Sequence, residues 1–432
     1  VTYANTARAI TITYSNGSRD EARGSGGAAW DKLFGIEKII GTDHNDRLNA
    51  TEYAPDFDGG AGFDIVDLTN FGDTDQGTYQ LRGIRVEADG PQGSYTITSR
   101  SPVDNDFEME LTNVEQIIGT DESDLFYGSA QADHFVGGEG SDRFHLSGGA
   151  DLYDGTTGTN TLVGTNLSGV TIDLAQGRGF GGQAEGDTYL NITGAELTGN
   201  FITVIGSAES DSITVQGRSA TVLTDEGHDL VEIGGRDFFV DLGAGSDEVI
   251  LYGTVTYGEV IGGTGFDRIE TSELHYNLGD RDIGFHFDLD AGEITSLDPD
   301  HGDIHIQISG IELINGTQGD DIFIDGDGTS NVYRGSDGAD VFHFNHREAG
   351  NEDVIERFWI GRDKINLDGA RADEFDDFQI RDISELDRNN PLRDFMYQDG
   401  YDAVRVTDSD LGNSIRLTNT SVYDLSADDF LF

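Results

Sequence analysis

From Gly119 to Val163, oxygen-bearing side chains recur every nine residues: Asp124, Asp133, Asp142 and Asp151, with the amide Asn160 closing the series. Each is preceded five residues earlier by Gly, or by Leu146 in one unit. Each is followed two residues later by a large apolar side chain: Phe126, Phe135, Phe144, Tyr153 or Leu162. Carboxylates beside Gly-rich segments with bare carbonyls form the donor set of a hard divalent cation such as calcium, which takes six to eight oxygens at about 2.3–2.6 Å. The same spacing returns three more times. Asp46 and Asp64 flank Pro55, and Asp211, Asp229 and Asp247 flank Ala220 and Phe238. Asp321, Asn331 and Asp340 form a less regular fourth block, and Asp267 closes a lone unit, Gly262 to Asp267, displaced by two residues from the register before it. These fourteen residues are the candidate metal ligands.

The elements that position them follow from the unit. Its first six residues are polar and Gly-rich, as a tight turn with positive φ requires, and its last three read as a short strand whose middle side chain points inward. Two units then make a coil of 18 residues, with a turn on each edge and a strand on each face. This places Asp124, Asp142 and Asn160 in one column and Asp133 and Asp151 in the other. Stacked carboxylates one strand spacing apart, roughly 5 Å, repel unless a cation lies between them. In the third block only one edge carries acids, so the other is held by packing of Ala220 and Phe238. Position-three acids (Asp43, Asp121, Glu139, Asp337) point outward into solvent. The nonapeptide G-G-x-G-x-D-x-U-x is a calcium-binding parallel β-helix repeat, and Gly59 to Asp67 fits it without exception.

Before the blocks stand lead-ins, GIEKIIG from Gly35, NVEQIIG from Asn113 and GIELING from Gly310, with a longer version from Gly194 to Gly206. Farther upstream lie alternating stretches such as Ala9 to Tyr14, Gly169 to Leu174 and Gly284 to Leu289, the pattern of half-buried strands. The fold class is all-β, a parallel β-roll or β-solenoid of tandem nonapeptide repeats. Five segments are expected: 1–70, a first β-coil and calcium roll; 71–165, a second module with the five-unit roll; 166–271, a third with a one-edged roll; 272–345, a fourth; and 346–432, a C-terminal cap and secretion-signal region. Helical periodicity appears only in short pieces, near Trp30 to Leu33 and around Ala349 to Trp359.

Sixty Gly and five Pro in 432 residues, regularly spaced, argue against both an ordinary α/β enzyme and a flexible linker. The formal net charge is −56, from 82 acids against 26 bases. Such a chain, 36% hydrophobic, repels itself toward disorder when bare. On the order of ten calcium ions would remove roughly a third of the excess, so folding is expected in millimolar calcium and not in the calcium-poor cytosol. The absence of cysteine fits metal in place of disulfides as the staple of a thin core. No apolar run has the length of a membrane span, and the charge disfavours nucleic acid and anionic lipid. The start at Val1 without Met suggests a fragment or processed product, and no signal peptide is visible.

The blocks resemble the repeats-in-toxin (RTX) proteins secreted by Gram-negative bacteria, over Gly41 to Asp67, Gly119 to Val163, Gly206 to Glu270 and Gly316 to His343. The stretch from Gly338 through Asp353-Val354-Ile355 to Leu367 resembles the segment after the roll in serralysin-type proteases, and Leu425 to Phe432 resembles an uncleaved type I secretion tail. The resemblance implies several bound Ca2+ ions, export through type I secretion machinery, and folding outside the cell. It implies no particular task, since such proteins include toxins, proteases, lipases, epimerases, adhesins and surface-layer proteins.

Catalytic signatures are missing. No H-E-x-x-H or G-x-S-x-G occurs, and Asp298-Pro299-Asp300-His301 echoes an epimerase signature without its adjacent His. His301 with His305 reads as a solvated strand face, and His343 with His346 as structural. Two roles remain: a structural or interaction protein of adhesin, surface-layer or filament type, bridging to itself or to glycans through calcium; or the non-catalytic part of a polysaccharide-active enzyme or other secreted hydrolase. The second calls for a basic or aromatic groove, for which Arg82, Arg85, Arg268 and Arg281 are the candidates.

Overall fold

The structure, a computed structural model, describes residues 1–14, 22–29, 31–71, 83–90, 93–100, 107–274, 283–297, 304–325, 329–344, 352–366, 378–382, 403–408, 414–418 and 425–431. Among these there is no α-helix, only two single 3-10 turns. The chain packs as two compact units, residues 1–207 and 208–432.

In the first unit the nine-residue pattern becomes three-residue strands with only the middle side chain buried, as in Leu125–Tyr127, His134–Val136, Arg143–His145 and Leu152–Asp154. The pairing is parallel and joins alternate strands: Phe126 lies beside Phe144, and Phe135 beside Tyr153. One coil is therefore 18 residues, two strands back to back, as the spacing predicts. One face runs from Arg47–Asn49 through Ile65–Asp67, Gln116–Ile118, His134–Val136 and Leu152–Asp154 to Thr188–Leu190. The core between the faces is a ladder of rings, with Phe126 stacked on Phe144 at 5.0 Å and touching Phe135 across the roll at 5.1 Å. All of these side chains are fully buried, and each removes apolar area worth roughly 25 cal/mol per Å².

Where the sequence supplies more residues than a coil can hold, the surplus leaves and returns as an antiparallel meander that closes its own hydrogen bonds. Ile84–Ala88, Tyr95–Ser99 and Glu108–Thr112 pair in this way before the chain resumes the coil. The alternating stretches expected as wider coils are the first strands of such meanders at Ile10–Tyr14 and at Phe285–Asp288. The third such stretch lies inside the long strand Thr161–Asp173, paired in parallel with Gly194–Ile205.

The second unit repeats the plan. One face stacks Ser212–Arg218, Leu230–Arg236, Glu248–Leu251, Arg268–Glu270, Leu313–Asn315, Val332–Arg334 and Glu352–Glu356. Its later coils hold a second ring ladder, Phe287, Phe323 and Phe342, near parallel at 4.9 Å each. The edge without acids is closed as expected: Ala220 and Phe238 are buried, and the Phe238 ring lies where a Cβ on Gly258 would stand, 2.3 Å away.

The short helical pieces are not helices. Lys32–Leu33 is a strand paired antiparallel with Ala22–Gly26, and Glu352–Glu356 a strand paired on both sides, because ladder bonds outweigh the weak local propensity of a few residues. Trp30 and residues 345–351 lie outside the described residues.

Candidate metal centres

The fourteen predicted ligands all stand at the turn before a strand, and all are buried. The stacking puts each beside the residue one coil away. The Asp124 backbone N–H donates to Asp142 Oδ1 at 2.9 Å, and the Asp142 N–H to Asn160 Oδ1 at 2.9 Å. Asp133 and Asp151 are joined in the same way at 2.8 Å, and Asp46 and Asp64 at 2.7 Å. In the second unit the chain of bonds runs Asp211, Asp229, Asp247 and Asp267. Asp321 is joined to Asp340, and Asn331 stands on the other face. Position-three Asp43, Asp121, Glu139 and Asp337 are exposed, as expected.

The lone unit is not alone. Asp267 continues the third column after a coil of 20 residues, two longer than its neighbours. Further acids that the nine-residue phase overlooked complete the columns. Glu115 and Glu312, inside the lead-ins, accept the N–H of Asp64 and Asp267. Asp187 follows Asp151, Asp353 follows Asn331, and Asp363 follows Asp340. Each has a large apolar residue two positions on (Ile117, Ile314, Tyr189, Ile355, Ile365), and only Asp187 has a glycine five positions before it (Gly182), so acid-x-apolar regardless of a leading glycine is the signal that could have found them.

Burial makes these carboxylates hard to ionise in the bare protein. Desolvation pushes Asp64, Asp124, Asp142, Asp187, Asp267 and Asp321 up to about 7, Asp229 to about 6 and Asp340 to about 8, against the stabilising pull of the backbone N–H groups. Five carboxylate oxygens, Oδ2 of Asp64, Asp142, Asp229, Asp247 and Asp267, are buried with no hydrogen-bond partner. An orphaned buried oxygen is costly, and a cation bound in each of these turns would repair it. Close approach of the turn is built in at the leading glycine: a Cβ on Gly137 would stand 1.9 Å from Asp142 Oδ2. Among the described residues no three Asp, Glu or His side chains converge on one point. A calcium ion here would therefore draw most of its oxygens from turn carbonyls, with one or two carboxylates, which suits the low affinity of extracellular calcium modules.

Residues 118–153 match the family model of the RTX calcium-binding nonapeptide repeat, in four copies. The chain carries RTX calcium-binding repeats. RTX nonapeptides bind multiple Ca2+ ions, and the parallel β-roll is the fold they form; the orphaned oxygens fit that metal. The match stops at residue 153, and the likeness of the C-terminal segment to serralysin-type proteins is carried by sequence alone. Among solved structures the chain is similar to the extracellular lipase LipA from Serratia marcescens, at 14% identity over 54% of this chain and 40% of that one. The TM-score is 0.16, so that superposition carries no argument, and the chain spans well under half of the lipase. No curated protein matches the chain.

Proposed function

We infer that this chain is a secreted, calcium-dependent structural or interaction protein, exported by type I machinery and folded outside the cell, with no catalytic role of its own. The observation that carries the reading is the set of buried, partnerless carboxylate oxygens in a chain of net charge −56. Such a protein is poorly stable without divalent cation and stiff with it, which fits an adhesin, a surface layer or a filament. Its acidic faces would meet glycans or further copies through shared calcium. Among the described residues no helix is long and apolar enough to cross a membrane.

The polysaccharide-enzyme alternative asks for free arginines along one face. Arg85 sits over the Tyr127 ring at 4.2 Å, and Tyr127 stacks on His145 at 3.8 Å, but Arg85 is bound to Glu87. Arg268 pairs with Glu248 at 3.3 Å and Glu270 at 2.9 Å, and in the first unit Arg143 pairs with Glu196. Their charge is spent within the sheet, which supports the non-enzymatic reading. Arg82, Arg281, His301 and His346 lie outside the described residues. His305 is on a strand, half-exposed, facing Gln307 and Glu293.

The deciding experiment is a calcium titration of the chelated chain, following far-ultraviolet circular dichroism and hydrodynamic radius together. Cooperative gain of β-signal with compaction between submillimolar and millimolar calcium is expected. A compact β-rich chain indifferent to chelator would refute the calcium-dependent reading, and turnover of an acidic glycan by the chain alone would refute the non-enzymatic one.

A further inference from the structure

Most turns fall into two kinds, told apart by residue type and backbone hand at position two of the unit. Ser336 (φ +70°), in the turn of Asp340, and Thr156 (φ +63°), in that of Asn160, combine a hydroxyl side chain with the positive hand. In the turns of Asp46, Asp124, Asp133 and Asp321, position two is Thr42, Thr120, Ser129 and Thr317. Its backbone N–H donates to Oδ2 of the unit's own Asp at 2.5, 2.6, 2.6 and 2.7 Å. Its hydroxyl reaches Oδ1 of the same carboxylate at 3.0, 2.9, 3.3 and 2.9 Å. A further donor completes each: the N–H of Ile10, Ile84 or Phe285 at 2.7 Å, or the Tyr95 hydroxyl at 2.6 Å. At Asp151 the Ser147 and Tyr153 hydroxyls fill Oδ2 in the same way. These carboxylates are saturated with donors whose positive ends occupy the place of a cation.

In the turns of Asp64, Asp142, Asp229, Asp247 and Asp267, position two is Gly60, Gly138, Asp225, Gly243 and Gly263, and every one has positive φ, from +79° to +109°. None of Thr42, Thr120, Ser129, Ser147 or Thr317 does. The change of hand removes the amide donor from the carboxylate, and it is in these five turns that Oδ2 is left buried and partnerless.

We propose that position two decides calcium occupancy turn by turn. Turns with positive φ there hold the ions, through Asp64, Asp142, Asp229, Asp247 and Asp267. Turns with Thr or Ser there and no positive φ are closed by their own hydroxyl and form calcium-independent edges, whereas Ser336, at φ +70° and bonded to Gly316 O, leaves the turn of Asp340 on the ion-holding side. The closed turns of Asp46 and Asp124 head the columns that contain Asp64 and Asp142, so those two columns start from an edge that needs no metal. The assignment rests on the calcium reading and refines it to named residues.

The test uses the full chain and calcium alone. Bound ions per chain are counted by equilibrium dialysis, with thermal unfolding in saturating calcium measured in parallel. Asp142→Asn and Asp267→Asn are each expected to lower the count by one or two ions, whereas Asp124→Asn and Asp321→Asn leave it at the parental value. Thr42→Val and Thr317→Val, which keep every carboxylate, should lower the unfolding temperature without changing the count, and they serve if an Asp variant does not fold. Equal loss of ions from Asp124→Asn and Asp142→Asn overturns the proposal, as does any loss from the Thr variants. A parental chain that binds no calcium overturns the calcium reading instead.

Discussion

Stacking distance between coils can be isolated with two glycines ten residues apart. Gly243 (φ +81°) and Gly253 (φ +69°) both have the left-handed conformation, so an Ala at either carries a strain of roughly 1–2 kcal/mol, partly offset by a less flexible unfolded chain. Around Gly253 no atom lies within 4 Å of an added Cβ, and strain is the whole effect. At Gly243 the Cβ would fall 2.0 Å from the carbonyl oxygen of Asp225, the residue 18 positions back in the coil below. Restoring a contact of 3.4 Å opens the two turns by about 1.4 Å. That breaks or stretches the bonds from Ala244 N–H to Asp225 O, Gly227 N–H to Ala244 O and Thr264 N–H to Gly243 O. At about 1 kcal/mol for each bond, Gly243→Ala should cost about 3–4 kcal/mol where Gly253→Ala costs about 1. Urea unfolding of the full chain in saturating calcium, followed by circular dichroism, measures both. Equal losses within about 0.5 kcal/mol would show that coil contact does not limit side-chain size, and would refute the stacking account.

The ring ladder offers a second check. Phe323→Ala removes the middle of three stacked rings and should cost about 3–5 kcal/mol, with Phe323→Leu costing less, as read from the same denaturation midpoints. Acidity should partly replace calcium. The folded carboxylates are raised to about 7 or 8, whereas those of the unfolded chain stay near 4, so the folded form holds more protons between those values. Their contribution to stability is fully present below about pH 4 and is lost as pH rises through about 7. Calcium-free chain should therefore be more compact at pH 5 than at pH 8, and scattering that shows the reverse would contradict it. Calcium affinity should fall over the same range as protons compete for Oδ2, which titration at pH 5.5 and 7.5 would detect.

Much of the roll was legible from residue spacing alone. Regular nine-residue phasing forces 18-residue coils because a strand of three and a turn of six leave the chain no other way to bury Phe126, Phe135, Phe144 and Tyr153 together. The columns of Asp124 with Asp142 and Asp133 with Asp151, and the packed edge of Ala220 and Phe238, follow from that arithmetic. The rest depended on distance in space. Glu115, Asp187 and Glu312 join columns across 51, 36 and 45 residues, because meanders and long strands absorb the surplus and return the chain to register. Asp267 rejoins after a coil of 20, since the core strand fixes the position of the turn and the loop before it takes up the extra length. Sequence by itself determined which residues are acids and how often they recur. Only the tertiary structure decided which carboxylate oxygens are left without a donor, because that depends on the sign of one backbone angle and on the coil stacked beside it.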